Sequence, residues 1–192
     1  MNLRLLILAT LILLRGTAFA STAEAEKRLH AAVDEIVKIA DHAASVSALA
    51  ESARPVLEKY LSFDAMTRRA IGPGWRQFSK SQQDEAIKLF ATLIVRTYSG
   101  KYTPGEQPVI TFKAASEPAP GRVEVPTTLL YKGSHYDVVY RMEAAEGWRI
   151  TDVVVEGVSL VANYRSQFDA QFQKGGPTAV VDSLSQAVTH PK

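Results

Sequence analysis

The sequence contains no cysteine, which excludes disulfide bonds, thiolate metal ligands and thiol catalysis. Neither sign of charge is in large excess, since 22 Lys and Arg residues accompany 20 Asp and Glu residues. Glycine and proline are sparse, at 11 and 9 of 192 residues, unlike collagen or a disordered tract. With 46% hydrophobic residues, the chain is expected to form a globular domain stabilised by its apolar core alone.

Long apolar runs are also missing, apart from residues 5–14. That run is about half of the ~20 residues that cross a bilayer, and Arg15 ends it, so a transmembrane anchor is not expected. Arg4 before the run and the A-x-A pattern at residues 18–20 after it are typical of a secretory signal. We therefore expect residues 1–20 to be a signal peptide.

Residues 21–192 are then expected to form one domain. Removing Arg4 and Arg15 with the leader leaves acidic and basic residues equal in number, so binding to nucleic acid is not expected. With no cysteine after the cleavage site, lipid attachment there is excluded as well.

Helical spacing of apolar residues dominates the first half of the sequence. A capping box, Ser79 with Gln82, precedes one long helix, and Gly72-Pro73-Gly74 ends the helix before it. Proline suits a first helical turn, so Pro55 is expected to open the second helix. The predicted helices cover residues 23–44, 55–61, 64–71 and 80–99.

After residue 108 the apolar period changes to two, which indicates β-strands. The short Gly- and Pro-rich connections between the strands predict an antiparallel meander, and helical spacing resumes after Gly157, with a break at Gly175-Gly176. The predicted strands cover residues 109–115, 122–132, 135–143 and 148–156. The predicted fold is α+β: a helical N-terminal half, a four-stranded antiparallel curved sheet and C-terminal helices, with an apolar cavity between helices and sheet.

Common catalytic and metal-binding motifs do not occur in the sequence. The closest candidate is His135 with Asp137, two residues on one strand face. A cone-shaped α+β isomerase or dehydratase would need only one such group inside its cavity for proton transfer, so this enzyme class stays open as an alternative.

Aromatic and aliphatic residues recur at inward-facing positions of the predicted strands and of the long helix. They either fill a solid core or line a cavity for an apolar ligand, because ligand sites are mostly apolar with few polar groups. From strand and helix phase, the predicted cavity-lining residues are Ile94, Tyr98, Val125, Leu129, Tyr131, Val138, Tyr140, Trp148 and Ile150.

Three stretches carry motifs of one known family. They are F-D-A-M at 63–66 with I-G-P-G-W at 71–75 and F-A-T-L-I-V-R-T-Y at 90–98, Y-R at 140–141 with G-W-R-I-T-D-V at 147–153, and E-G-V-S-L-V-A-N-Y-R-S-Q-F at 156–168. Together they resemble the MlaC family of periplasmic phospholipid-binding proteins, the toluene-tolerance auxiliary component of an ABC transporter. Asp152 and Arg165 lie in these motifs and are expected to form a hydrogen bond or ion pair between helix and sheet, or to contact ligand.

The resemblance implies a soluble, monomeric periplasmic carrier that maintains outer-membrane lipid asymmetry in Gram-negative bacteria. It would move phospholipid between the outer membrane and an inner-membrane ABC transporter, with an outer-membrane lipoprotein complex and the transporter as transient partners. Phospholipid would be the cargo, with no cofactor, metal or catalysis. A carrier of another apolar cargo such as hopanoid stays open.

Overall fold

The computed structural model describes residues 3–103, 106–145 and 147–189, with side chains from residue 21 onward. The side chains of the predicted signal peptide, 1–20, lie outside the described residues. The helices are α1 (Leu3–His42), α2 (Val46–Tyr60), α3 (Phe63–Ile71), α4 (Lys80–Ser99) and α5 (Leu160–Thr189), with a 3-10 turn at Gly72–Gln77. The strands are β1 (Val109–Phe112), β2 (Ser116–Ala119), β3 (Arg122–Tyr131), β4 (Ser134–Ala144), β5 (Trp148–Val155) and β6 (Val158–Ser159).

The start of α2 differs from its prediction. Ser45 caps this helix, its hydroxyl accepting the Ala48 N–H at 3.1 Å, and Pro55 lies inside the helix rather than at its first turn. A helical proline removes one bond, here to the Glu51 carbonyl, and Pro55 is exposed, so its ring does not disturb the core. The prediction that Pro55 opens α2 is wrong because the serine cap starts the helix earlier.

The long helix α4 is confirmed at both ends. The Ser79 hydroxyl accepts the Gln82 N–H at 3.3 Å, and the Gln82 side chain accepts the Ser79 N–H at 3.0 Å, which completes the predicted capping box. The helix ends at Ser99, before Gly100.

Helix α5 consists of two segments, because Gly175 and Gly176 have non-helical backbone angles and Gly176 has a φ of 63°. The first segment lies along α4 with its Tyr164 and Phe168 against Phe90. The second segment runs back along α4 to Val188, whose carbonyl accepts a bond from Arg96. The predicted break at the double glycine is confirmed.

All strand pairs are antiparallel, in the order β1-β3-β4-β5-β6, with β2 also paired to β3. The α+β class is therefore confirmed, but the sheet has six strands and the predicted four is wrong. The two missed strands are β2 and β6, which have only four and two residues. Strands this short carry too few alternating positions to produce a period-two signal.

A β-bulge interrupts the pairing of β4 with β5. Met142 pairs with Ile150, whereas the residue before it, Arg141, pairs with Asp152. Thr151 is therefore the extra residue in β5. After the bulge, every side chain of β5 points to the sheet face opposite to the one that strict alternation predicts. Asp152 consequently shares the face of Arg141, and Val153 shares the face of Tyr140.

One sheet face packs on the helices and forms the main core; we call it the inner face. It contributes Val123, Val125, Met142 and Ile150, all at most 3% exposed. The helices contribute Phe90 and other apolar residues, including Leu29, Tyr60, Met66, Ile94, Phe168 and Leu184. Among the described residues, no helix has the length and apolarity needed to cross a membrane.

Glu35 of α1 accepts bonds from Lys59 Nζ and from the Tyr60 hydroxyl of α2, both at 2.5 Å. These hydrogen bonds lower the pKa of Glu35 and raise the pKa of Lys59. A lowered acid pKa stabilises the fold above the unfolded value of 4.5, and this stabilisation is lost as the pH falls through the folded pKa. The raised lysine pKa stabilises the fold below 10.5 and is lost as the pH rises through its folded value.

We therefore expect Glu35→Gln to lower the Tm at neutral pH but to leave it close to wild type at pH values well below 4.5. Thermal unfolding of both proteins across this range measures the difference. Glu58→Gln, which removes the partner of Arg54 within α2, serves as a surface control. A Tm difference for Glu35→Gln that stays constant down to strongly acidic pH would contradict the assignment.

Two glycines let the 3-10 turn approach α5. A Cβ on Gly72 would lie 2.9 Å from the Arg165 guanidinium, and a Cβ on Gly74 would lie 2.8 Å from the Phe172 ring. Gly72 also has a φ of 70°, which other residues rarely adopt. The Gly-Pro-Gly motif thus does more than end α3, because it allows close packing on the last helix.

We expect Gly74→Ala to reduce the free energy of unfolding by about 1–3 kcal/mol, the usual cost of overpacking. Urea unfolding measures this change. In a Phe172→Leu background the ring is gone, so the added methyl group should cost clearly less. An equal cost of Gly74→Ala in both backgrounds would show that the ring contact is not the cause.

Candidate functional site

The inner face of the sheet is closed at one end and partly open at the other. On β3, Val123, Val125 and Thr127 are at most 1% exposed, whereas Leu129 and Tyr131 farther along the strand are partly exposed. Burial therefore decreases along the strand towards the β3–β4 turn. We call the region of the inner face near this turn the open end.

Strands β4, β5 and β6 continue the open end across the sheet. Tyr136 is 37% exposed and pairs with Leu129, while Val158 is 62% exposed and pairs with Val155 at the sheet edge. The side chains of the open end are those of Leu129, Tyr131, Tyr136, Tyr140, Val153, Val155 and Val158. These apolar and tyrosine side chains together form an incompletely covered surface, which suits an apolar ligand with few polar groups.

Two tyrosines from the helices lie near the open end. Tyr98, in the last turns of α4, is 44% exposed, and Tyr164 lies in the first turns of α5. Burial raises the pKa of both hydroxyls, and Tyr164 with Asp152 contributes to the shift at Tyr98. Both side chains are therefore neutral at physiological pH and add no charge to the site.

The segment after α4 connects the helices to the β3–β4 turn. The Tyr102 ring stacks on Tyr131 with centroids 6.5 Å apart, and the Thr103 N–H donates to the Tyr131 hydroxyl at 2.8 Å. The Tyr102 hydroxyl also donates to the carbonyl of Ala40 in α1 at 3.1 Å. These contacts fix Tyr131 at the border of the open end.

Tyr140 is the deepest polar group of this surface. Its cross-strand neighbours on the inner face are Val125 and Val153, and burial raises the pKa of its hydroxyl. In the described part of the chain, no group lies within hydrogen-bonding distance of this hydroxyl, although its oxygen is accessible to a water-sized probe. The hydroxyl is therefore free to bond with water or with a ligand.

The structure divides the predicted lining residues into two sets. Ile94, Val125, Trp148 and Ile150 are buried in the main core, and Val138 is buried outside it. Tyr98, Leu129, Tyr131 and Tyr140 are more exposed and lie around the open end. No ligand is present to test either set, so lipid contact stays a prediction for all nine.

The alternation of residues along β5 does not predict that Val153 lies on the inner face. Strict alternation from Trp148 and Ile150 places Asp152 inside and Val153 outside, and the bulge at Thr151 reverses this. The adjacent polar pair Thr151-Asp152, inside an otherwise apolar run, is a signal that could have indicated the bulge.

Asp152 connects the sheet to the start of α5. Its Oδ1 accepts the N–H groups of Val153 and Val161, and its Oδ2 accepts the Ser159 hydroxyl and Arg141 Nη1. Ser159 in turn accepts the Ala162 N–H as the cap of α5. The expected helix-to-sheet role of Asp152 is confirmed.

Arg165 has a different role from the one expected. It forms an ion pair of 3.9 Å with Asp169 inside α5 and lies over Gly72. It thus contacts the 3-10 turn rather than the sheet, because the fold of that turn brings Gly72 to its guanidinium.

A cleft of about 450 Å³ lies around the bulge and includes none of the nine predicted residues. Each of its three arginines already has an acidic partner: Arg69 and Arg122 pair with Glu143, and Arg141 pairs with Glu124 and Asp152. The three arginines are balanced by three carboxylates, so the net charge of the cleft is close to zero. The cleft therefore attracts a free anion only weakly.

The candidate acid–base pair lies on the sheet face opposite the inner one. Asp137 binds Lys113 Nζ at 2.8 Å, and this hydrogen bond, with further contributions from the charge of Lys113 and from Thr128, lowers its pKa. His135 is exposed on the same face. The pair therefore lies outside the open end.

The described residues include no group of three or more His, Asp or Glu side chains placed to hold a metal ion.

Comparison with known proteins agrees with this architecture. Among solved structures, a phospholipid-binding protein from Ralstonia solanacearum, in complex with a phospholipid, is similar with a TM-score of 0.80. It is 23% identical, and the match covers 86% of this chain and 97% of that one, which shows a shared fold. No curated protein matches the sequence. A family model described as MlaC protein matches residues 27–186, most of the chain, and the protein therefore belongs to the MlaC family.

Proposed function

We propose that this protein is a periplasmic carrier of phospholipid, with the acyl chains held between the inner face of the sheet and helices α4 and α5. The observation that carries the proposal is the open end, an apolar surface left partly uncovered in an otherwise buried inner face. Membership of the MlaC family and the shared fold with a protein solved with phospholipid support the same cargo.

The physical need for such a carrier follows from the hydrophobic effect. Each methylene group exposed to water costs about 0.8 kcal/mol, so a lipid with two acyl chains cannot cross an aqueous compartment unaided. The apolar wall provides the transfer free energy, and a site open at one end lets the lipid leave at the next membrane. Neutral tyrosines at the opening supply hydrogen bonds without adding charge.

The proposed route runs between the outer membrane and an inner-membrane ABC transporter, with a lipoprotein complex as the outer partner. Family membership and the predicted signal peptide support this route. Export removes residues 1–20 in the proposal, so protein recovered from the periplasm should begin at Ser21. N-terminal sequencing of that protein tests the predicted cleavage.

The lipid cargo is tested by purifying the protein without detergent and analysing it by native mass spectrometry and lipid extraction. We expect a complex with bound phospholipid, and uptake of phospholipid from vesicles by delipidated protein. Empty protein that also takes up no phospholipid would falsify the proposal. An extracted lipid of another class, such as a hopanoid, would change the cargo but keep the carrier.

A further inference from the structure

The hydroxyl of Tyr140 has no role in holding the fold together. In the described residues it makes no hydrogen bond, and Tyr140 follows the apolar Val139 and faces Val125 and Val153 across the strands. Because no protein group satisfies this hydroxyl, phenylalanine would fill the same volume without losing a hydrogen bond. The hydroxyl therefore has a use other than packing.

The other tyrosine hydroxyls near this surface are placed differently. The Tyr131 hydroxyl accepts the Thr103 N–H, and the Tyr164 hydroxyl pairs with the Thr97 side chain. Tyr98 is 44% exposed, so water can satisfy it. Among these four tyrosines, Tyr140 alone combines a partly buried side chain with a hydroxyl that makes no hydrogen bond.

The neutral hydroxyl of Tyr140 and its apolar neighbours determine which ligand group it can bind. Because the phenol stays neutral and donates one proton, its partner is an oxygen acceptor of the ligand. A phosphate and an ester carbonyl both qualify. The neighbours Val125 and Val153 favour the uncharged carbonyl, because a phosphate buried beside them without a cation would carry a large desolvation penalty.

We propose that the Tyr140 hydroxyl donates a hydrogen bond to an acyl-ester carbonyl of the bound lipid, which makes the site selective for ester-linked over ether-linked lipids. This inference rests on the proposed carrier function. It also gives the depth of the cargo, because the ester groups join the acyl chains to the glycerol. With the esters beside Tyr140, the acyl chains lie along the inner face, which includes Leu129.

The test compares uptake of diester and diether phosphatidylcholine of equal chain length, mixed in the same vesicles. Native mass spectrometry measures the ratio of the two lipids bound to wild type, to Tyr140→Phe and to Tyr60→Phe. We expect wild type to prefer the diester by about three- to tenfold, the value of one neutral hydrogen bond. Tyr140→Phe should bind both lipids equally, with diether binding unchanged.

Tyr60→Phe is the matched control, because it removes a hydroxyl that binds Glu35 at the α1–α2 contact. It should keep the wild-type preference. The wild-type ratio tests the inference even if a variant folds poorly, since equal binding of the two lipids by wild type overturns it. Reduced binding of both lipids by Tyr140→Phe assigns the bond to the phosphate and also overturns the ester assignment. A wild type that takes up neither lipid contradicts the carrier function itself.

Discussion

We expect Asp152→Asn to reduce the free energy of unfolding by about 2–4 kcal/mol, because each buried donor that loses its acceptor costs about 1–3 kcal/mol. The Asp152 side chain is only 9% exposed, and its carboxylate accepts four hydrogen bonds, one of them from Arg141. An asparagine amide offers one acceptor oxygen and turns an NH₂ group towards donors that still need an acceptor. The Tm should fall by roughly 10 °C in thermal unfolding.

Glu124→Gln is the control for this substitution. Glu124 binds the same arginine, Arg141, but its side chain is 36% exposed and this ion pair does not involve α5. A surface ion pair of this kind contributes about 0.2–1 kcal/mol, so Glu124→Gln should change the stability little. Similar losses for the two variants would contradict the view that Asp152 stabilises the start of α5.

The sequence predicted the elements whose signals are local. Helix α4 was predicted at both ends because its capping box and terminal glycine act within a few residues. The break at Gly175-Gly176 was predicted for the same reason. Pro55 misled the prediction of α2, because the serine cap at Ser45 outweighs a proline that the exposed side of a helix can accept.

The candidate site was less predictable because it depends on relations between strands. Alternation along β3 correctly placed Val125 and Leu129 on one face, but it gave no sign that Val125 is buried and Leu129 is partly open. That difference depends on where the helices end over the sheet. The bulge at Thr151 arises from pairing with β4, so periodicity in β5 alone could not place Val153. The free hydroxyl of Tyr140 likewise depends on its neighbours in space.

Leu129→Asp should abolish most lipid binding. Leu129 lies on the inner face at the open end, between Ile110 and Tyr136 on the neighbouring strands. A carboxylate there must either lose hydration without a partner or keep water where the acyl chain would lie. Displacing even a few methylenes at about 0.8 kcal/mol each lowers the bound fraction by roughly tenfold or more. Lipid extraction and uptake from vesicles measure the loss.

The chain offers a matched control in the next residue. Leu130 is the same residue type with similar partial exposure, but it points to the opposite sheet face, where it pairs with His135 and Val109. Leu130→Asp adds the same charge to the same strand, so it should bind lipid like wild type. If circular dichroism and Tm show that the two variants fold equally well, their difference in lipid binding depends only on which sheet face carries the carboxylate. Equal binding by both variants would place the acyl chains elsewhere than on the inner face, because only Leu129 lies on that face.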